Sequence, residues 1–178
     1  AVNAFSGVGI GILTYISDDS ELRGLTFWTM GSFGGATISM IGPALLFIIF
    51  SFIWIIKEAR KLDILQLGES EAYRLGIDIK KLRFSVIVSS AIIVGISVSL
   101  SGMIGFVGLV VPHLARILGG VNHSFLLPSS ALMGAILMVL ADLFARTMIK
   151  PAELPVGLIT SAIGSPFFLW LIFRIRKS

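Results

Sequence analysis

The chain contains no cysteine, which excludes disulfide bonds, thiolate metal sites and cysteine nucleophiles. It is also poor in charge, because only 13% of its 178 residues are charged, whereas soluble domains usually carry about 25%. Hydrophobic residues make up 56% of the chain and the mean hydropathy is +0.98. A soluble domain of this length cannot bury so much apolar sequence, so we expect a membrane protein.

Charged residues are absent from four long runs, at residues 24–56, 84–115, 117–141 and 154–173. About 20 helical residues cross the hydrocarbon core of a bilayer, so each run is long enough to span it. The run 84–115 is too long for one crossing, and its middle, residues 97–102, is rich in small residues. We therefore predict an all-α, polytopic membrane helix bundle with an interfacial, short periplasmic segment around residues 26–35 and about six transmembrane helices, near residues 1–16, 37–56, 84–100, 103–118, 125–145 and 155–173.

The basic residues are distributed unequally between the two sides of this predicted bundle. With a break near Ser101 and Gly102, eleven of the fourteen lysines and arginines fall on the side that carries residues 57–83. A single crossing by 84–115 gives a weaker nine-to-five division. The positive-inside rule therefore favours two short spans and a cytoplasmic 57–83 loop. It also accounts for the net charge of +4 without nucleic acid as a partner.

Glycines are frequent in the predicted spans, and small residues let transmembrane helices approach closely. We therefore expect close helix packing at two groups of glycines, which are Gly7, Gly9 and Gly11 in the first span and Gly102, Gly105 and Gly108 after the break.

The 57–83 loop is the only extended polar segment on the predicted cytoplasmic side. Between two turn-forming glycines, Gly68 and Gly76, residues 69–75 are predicted to form about two helical turns, with Ala72 and Leu75 on one face. A membrane-lying helix favours basic residues on its polar face, whereas this segment also carries glutamates. The pattern favours docking into a partner protein.

Several motifs then follow one another in a distinctive order, and each is read from the sequence. They are Leu67-Gly68-Glu69 with Ala72-Tyr73-Arg74-Leu75-Gly76, the stretch 102–116, Leu126-Leu127-Pro128, and the segments 141–146, 153–157 and 164–168. Together they closely resemble the permease subunits of bacterial ABC importers for iron–siderophore, haem or cobalamin. The resemblance covers essentially the whole chain.

Members of that family have ten spans, and this chain resembles only their C-terminal part, from within the fifth span. The absence of an initiator methionine and of a basic signal region agrees with this. We therefore expect residues 1–178 to be the C-terminal portion of one longer transmembrane permease domain, in which residues 57–83 form the cytoplasmic coupling loop.

The resemblance implies a subunit of the bacterial inner membrane, embedded in lipid, that imports a metal chelate together with a second permease subunit, as a homodimer. It implies ATP-binding cassette ATPase subunits beneath, and a periplasmic or lipid-anchored substrate-binding protein above, docked at Arg146. The residues expected to contact the ATPase are Leu67, Gly68, Glu69, Ala72, Arg74, Leu75 and Gly76. The chain has no phosphate-binding loop of the form Gly-x-x-x-x-Gly-Lys-Ser/Thr, so we expect no enzyme activity in it, and no cofactor.

Two readings of Asp142 stay open. It lies four residues before Arg146, so the two side chains are expected to pair along one helix face. The pair is compatible with docking by Arg146. Alternatively, Asp142 is the intramembrane coupling carboxylate of a secondary transporter or ion carrier. A third class, an intramembrane enzyme, needs a serine paired with His113, and no spacing supports it.

The remaining titratable residues favour structural roles. His113 follows Pro112 and lacks neighbouring acidic or histidine ligands, so we interpret it as structural rather than as a metal or proton ligand. His123 is expected to be solvated in a short cytoplasmic turn. Asp18, Asp19 and Glu21 are expected to mark the membrane edge. Which chelate is carried does not follow from any motif.

Overall fold

The computed structural model describes residues 2–148 and 154–175. Within these ranges the chain forms helices joined by short loops, and no strand is present. The all-α fold class is therefore confirmed. In chain order the helices are α1 (Val2–Ile16), α2 (Asp19–Met30), α3 (Ile38–Lys57), α4 (Ala59–Leu65), α5 (Glu69–Arg74), α6 (Ile79–Ser101), α7 (Val107–Gly119), α8 (His123–Met148) and α9 (Val156–Ile175).

Four of these helices, α3, α6, α8 and α9, are long and apolar enough to cross a membrane. They leave large apolar side chains exposed along their lengths, as is usual for helices that face lipid or further transmembrane helices. Two other predicted spans are shorter apolar helices, Gly7–Ile16 within α1 and all of α7. Of the six predicted spans, four are thus helices long enough to cross a membrane, and the other two are shorter apolar helices.

The long run 84–115 is broken where the small residues lie. Helix α6 ends at Ser101, Gly102 has a φ of 71°, and α7 begins only at Val107. The prediction of two helices is confirmed, but the predicted start of the second, at residue 103, was wrong. Residues 103–106 are not helical because Gly102 redirects the chain and Phe106, with a φ of 66°, adopts the left-handed conformation.

Helix α4 packs against the beginning of α8, so the loop after α3 and the turn between α7 and α8 lie at one end of the bundle. We call this the inner end, because it carries the basic 57–83 loop, and the opposite one the outer end. The segment from Gly102 to Gly119 therefore returns across the bundle. This topology matches the two-span interpretation of the lysine and arginine distribution.

The segment predicted to be interfacial, residues 26–35, is partly helical. Helix α2 spans Asp19–Met30 and carries Asp19 and Glu21 in its first turn, where acidic side chains interact favourably with the helix dipole. Asp19 and Glu21 therefore stabilise the beginning of α2. Their predicted position at the membrane edge is compatible with this role. The helix ends at Gly31, which has a φ of 75°, so residues 31–35 do not continue it.

Three backbone segments meet at the outer end, and we call this contact the outer junction. The Met103 N–H donates to the Trp28 carbonyl at 3.1 Å, the Ser32 N–H to Ser101 at 2.8 Å, and the Gly157 N–H to Gly31 at 3.3 Å. The end of α2, the loop after α6 and the start of α9 are thus joined by main-chain hydrogen bonds.

Glycine makes this approach possible. A Cβ atom on Gly102 would lie 2.1 Å from the Trp28 carbonyl oxygen, and one on Gly157 would lie 1.9 Å from that of Met30. The expectation of close packing therefore holds for Gly102. For Gly7, Gly9, Gly11, Gly105 and Gly108 it stays a prediction, because a Cβ built on any of them meets no atom of the described residues within 4 Å.

We predict that Gly157→Ala destabilises the bundle by about 1–3 kcal/mol, because the added methyl group forces the α9 and α2 backbones apart. The matched control is Gly134→Ala in the middle of α8, where a Cβ meets no atom within 4 Å and alanine favours the helix. Thermal unfolding in detergent measures both. Equal midpoints for Gly157→Ala and wild type would contradict the importance of the outer junction.

Candidate functional sites

The first candidate site is the pair of short helices at the inner end. Ala72 of α5 is completely buried and packs with Ile77 and Leu82 in one apolar cluster. Leu62 and Leu65 of α4 pack against the same cluster. Helices α4, α5 and the start of α6 are therefore held together as one unit by apolar contacts.

The opposite side of this unit is exposed and partly apolar. Leu67 is 70% exposed, Tyr73 77% and Leu75 63%, and the charged residues Glu69 and Arg74 lie among them with exposed side chains. We call these five residues the 67–76 surface. Exposed apolar side chains flanked by charges at the inner end are typical of a protein-docking surface.

The predicted sharing of one face by Ala72 and Leu75 was wrong. Helix α5 ends at Arg74, one residue before Leu75, and Leu75 turns outward while Ala72 turns inward. The reason is the closing turn at Gly76, whose φ is 78°. Gly68, with a φ of 114°, opens α5 in the same way, so both flanking glycines occupy backbone conformations that other residues rarely adopt.

Ion pairs orient the charged part of the 67–76 surface. Glu69 pairs with Arg83 of α6, and Arg74 Nη1 lies 3.2 Å from Glu71 Oε1. Exposed pairs of this kind contribute little to the free energy of unfolding. Their effect here is to hold the Glu69 and Arg74 side chains in defined positions along α5.

A second contact at the inner end was not foreseen. Asp63 Oδ1 in α4 accepts hydrogen bonds from the backbone N–H and from Nδ1 of His123, both at 2.7 Å. The amide nitrogen of Gln66 lies 3.1 Å from the same ring nitrogen. His123 was expected to be solvated, and this was wrong. Its side chain is only 20% exposed because α4 covers the turn before α8.

This arrangement acts on the protonation of Asp63. Partial burial tends to raise the pKa of the Asp63 carboxyl, but the hydrogen bonds from His123 to its charged form outweigh burial and lower the pKa below the ordinary value of 3.8. A carboxylate accepts hydrogen bonds only, so Nδ1 of His123 must carry the proton in this contact.

The second candidate site lies near the outer end of α8. Arg146 Nε lies 2.8 Å from Asp142 Oδ2, four residues earlier, with side-chain exposures of 47% and 25%. The neighbouring Ala141 and Ala145 are buried against Val156 of α9. The alanines therefore anchor this face of α8, and the charged pair lies on a more accessible face.

The third residue considered, His113, lies in α7 beside an aromatic ring. Its imidazole meets the ring of Phe167 edge-on, with centroids 5.8 Å apart. Among the described residues no group of three or more histidine or acidic side chains is arranged to hold a metal ion. The geometry of His113 is that of a residue packed between α7 and α9.

The sequence profile of the FecCD transport family matches residues 1–174. The chain belongs to the FecCD transport family. It is 49% identical over 177 residues to the hemin transport system permease protein of Yersinia pestis, with 99% of this chain and 53% of that protein covered. It is 44% identical over 178 residues to the vitamin B12 import system permease protein of Vibrio vulnificus (strain CMCP6), covering 94% of this chain and 53% of the relative.

A solved structure shares the fold of this FecCD chain. It is described as an inward-facing conformation of a metal-chelate type ABC transporter, with a TM-score of 0.88 and 37% identity, covering 97% of this chain and 56% of that one. The FecCD chain thus spans about half the length of the relatives that it matches. Its apolar helices and this kinship identify it as part of a multi-pass membrane protein.

Within this FecCD chain, the residues predicted from motifs fall at opposite ends of the bundle. The 67–76 surface is at the inner end, and the Asp142–Arg146 pair is near the outer end of α8. The contact among Asp63, Gln66 and His123 was not predicted from the sequence, and Asp63 and His123 are 60 positions apart. No local pattern marks such a contact. Tyr73 stood in a quoted motif, but only its exposure shows that it belongs to the surface.

We predict that Asp63→Asn lowers the free energy of unfolding at pH 7 by about 1–2 kcal/mol, since the charged acceptor for His123 is lost. The folded pKa of Asp63 is below 3.8, so the wild-type advantage is complete above the unfolded pKa and disappears as the pH falls through the folded pKa. Thermal midpoints of both proteins between pH 7 and pH 3 test this. A pH-independent difference would contradict the ionic contribution.

Proposed function

We propose that this chain is the C-terminal part of the permease subunit of an ATP-driven importer of metal chelates, and that it forms part of the translocation path. The observation that carries the proposal is the 67–76 surface. It combines exposed Leu67, Tyr73 and Leu75 with oriented charges at the end of the bundle where most basic residues lie. Membership of the FecCD family supports the same conclusion.

The partner at this surface is an ATP-binding cassette ATPase subunit. The contact residues are those expected from the sequence, Leu67, Gly68, Glu69, Arg74, Leu75 and Gly76, with Tyr73 added. Ala72 contributes differently, because it is buried beneath the surface and packs α5 onto Leu82 of α6. A displacement of α5 by the ATPase is therefore passed to α6 through apolar packing. ATP hydrolysis occurs in the ATPase, and this chain is not an enzyme.

At the outer end, Arg146 docks a periplasmic or lipid-anchored substrate-binding protein. Its guanidinium is half exposed and oriented by Asp142, and arginine forms geometrically defined, charge-assisted pairs with carboxylates of a partner. The Arg146 guanidinium thereby serves both the local pair and the docking contact.

The setting is the bacterial inner membrane, with the 57–83 loop in the cytoplasm. The permease works as a dimer with a second copy of itself, surrounded by lipid. The exposed apolar side chains of α3, α6 and α9 are available for contacts with lipid, with the second copy and with the rest of the permease domain.

The substrate belongs to the class carried by the relatives, whose names refer to hemin and vitamin B12. Iron–siderophore, haem and cobalamin complexes are the members of this class to test, and the ligand of the cognate binding protein decides among them.

A secondary transporter that uses Asp142 has less support, because that carboxylate is already paired with Arg146 at 2.8 Å.

We predict that Leu75→Asp, and separately Tyr73→Ala, in the full-length permease reduces co-purification of the ATPase at least about fivefold, because each removes apolar contact area from the centre of the interface. Val121→Asp is the control, since Val121 is also exposed at the inner end but lies outside the 67–76 surface. Normal ATPase recovery and ATP-dependent uptake in both variants would refute the coupling role.

We predict that Arg146→Glu weakens binding-protein affinity by about tenfold or more, because an attractive charge pair becomes repulsive. Asp142→Asn separates docking from local pairing. It removes the charge of the intrahelical partner and leaves the guanidinium, so its affinity loss should be much smaller. Titration of the labelled binding protein onto the reconstituted permease measures both. Equal losses for the two variants would show that the local pair alone matters.

A further inference from the structure

Helix α8 links the two ends of the bundle. It has 26 residues, the most of any helix in the described ranges, and at about 1.5 Å per residue it is about 39 Å long. It contacts α4 at the inner end and α9 towards the outer end, and it also packs against α3 and α7. A displacement of its first turn can therefore reach its last turn without crossing a loop, and Pro128 interrupts the helical hydrogen bonds only near the beginning.

The first turn of α8 is held by a side chain from another helix. Asn122 Oδ1 accepts the Ser124 N–H at 2.9 Å, as a local cap. The His123 N–H is satisfied instead by Asp63 of α4, at 2.7 Å. The carboxylate thus sits at the positive end of the α8 dipole, where a negative charge is favourable.

The His123 ring strengthens this attachment. Its Nδ1 donates a second hydrogen bond to Asp63 Oδ1, also at 2.7 Å. Gln66, directly after α4, approaches the ring and the Val121 carbonyl. The Asp63 and His123 side chains are 29% and 20% exposed. Both are less exposed than Glu69 and Arg83, so their contact competes less with water.

The last turns of α8 are equally well attached. Ala141 and Ala145 are buried against Val156, and Phe33, Leu154 and Ile159 pack around them. Arg146 lies one residue beyond Ala145, on the same turn. The position of Arg146 therefore follows the position of α8.

We propose that Asp63 and His123 are positioning residues that transmit movement of the 67–76 surface to α8, and through α8 to Arg146. This inference rests on the proposed function. The 67–76 surface moves together with α4 because both pack on the Ala72 cluster, and α4 moves α8 because Asp63 is bonded to its first turn. ATPase closure and the release of the binding protein are thereby coupled through one helix.

The test uses the full-length permease, purified with its ATPase and reconstituted in proteoliposomes with its binding protein. The variants are Asp63→Ala, His123→Ala, the double variant and His123→Asn, whose amide nitrogen can replace Nδ1 as a donor. Ser124→Ala is the control, because that side chain is exposed and only its backbone N–H is used in the cap. The measurements are ATPase co-purification, binding-protein stimulation of ATP hydrolysis, and uptake per ATP hydrolysed.

We expect Asp63→Ala and His123→Ala to lower uptake per ATP by about fivefold, the loss expected for one charge-assisted hydrogen-bonded contact. The double variant should lose no more than either single one, since both remove the same contact. His123→Asn should recover more than half of the wild-type ratio, and Ser124→Ala should equal wild type. A purely structural role would lower the amount of assembled complex without changing uptake per ATP.

Unchanged uptake per ATP and unchanged stimulation in assembled Asp63→Ala would overturn the inference, as would additive losses in the double variant. If Asp63→Ala does not assemble, the same ratio is measured for His123→Ala, which removes the Nδ1 donor, and a wild-type ratio in His123→Ala overturns the inference. Failure of the proposed function has a different signature, because the wild-type permease would then recover no ATPase at all.

Discussion

The bundle depends on the close contact of three backbones at the outer junction. Two positions of this contact cannot carry a side chain, since a Cβ on Gly102 or Gly157 would overlap a carbonyl oxygen of α2. The contact ends α6, redirects residues 102–106 and sets the start of α9. The hydrogen bonds run between main-chain groups and satisfy the N–H donors of Ser32, Met103 and Gly157, which lie outside regular helical hydrogen bonding. The short α7 and the return of the chain to the inner end follow from it.

The two ends of the bundle are stabilised by different interactions. The outer end relies on glycine and on main-chain hydrogen bonds, whereas the inner end relies on a small apolar cluster around Ala72 and on the Asp63–His123 contact. The few attachments at the inner end suit helices α4 and α5, which the ATPase is proposed to move. Helices α4 and α5 are attached to α6 and α8 at a few points, so force applied to the 67–76 surface is passed on through those points rather than through a large rigid core.

Much of this architecture could be predicted from the sequence. Charge-free runs locate α3, α6, α8 and α9, because the length of an apolar run reports directly on membrane thickness. The break near Ser101 was predicted correctly because one helix cannot cover 84–115. The beginning of α7 was not, since no local pattern in the sequence marks the left-handed conformation of Phe106. Likewise, the spacing of Ala72 and Leu75 suggested one shared face, but the turn at Gly76 separates them.

The sequence by itself determined that the chain is a helical membrane protein, which loop lies at the basic end, and which family it belongs to. These properties depend on local composition, run length and ordered motifs. Only the tertiary structure decided which glycines are needed for close packing, and that His123 binds Asp63 rather than water. Contacts between distant residues depend on how the helices pack, and that packing cannot be read from any single segment. The connection from the 67–76 surface through α8 to Arg146 is of this second kind.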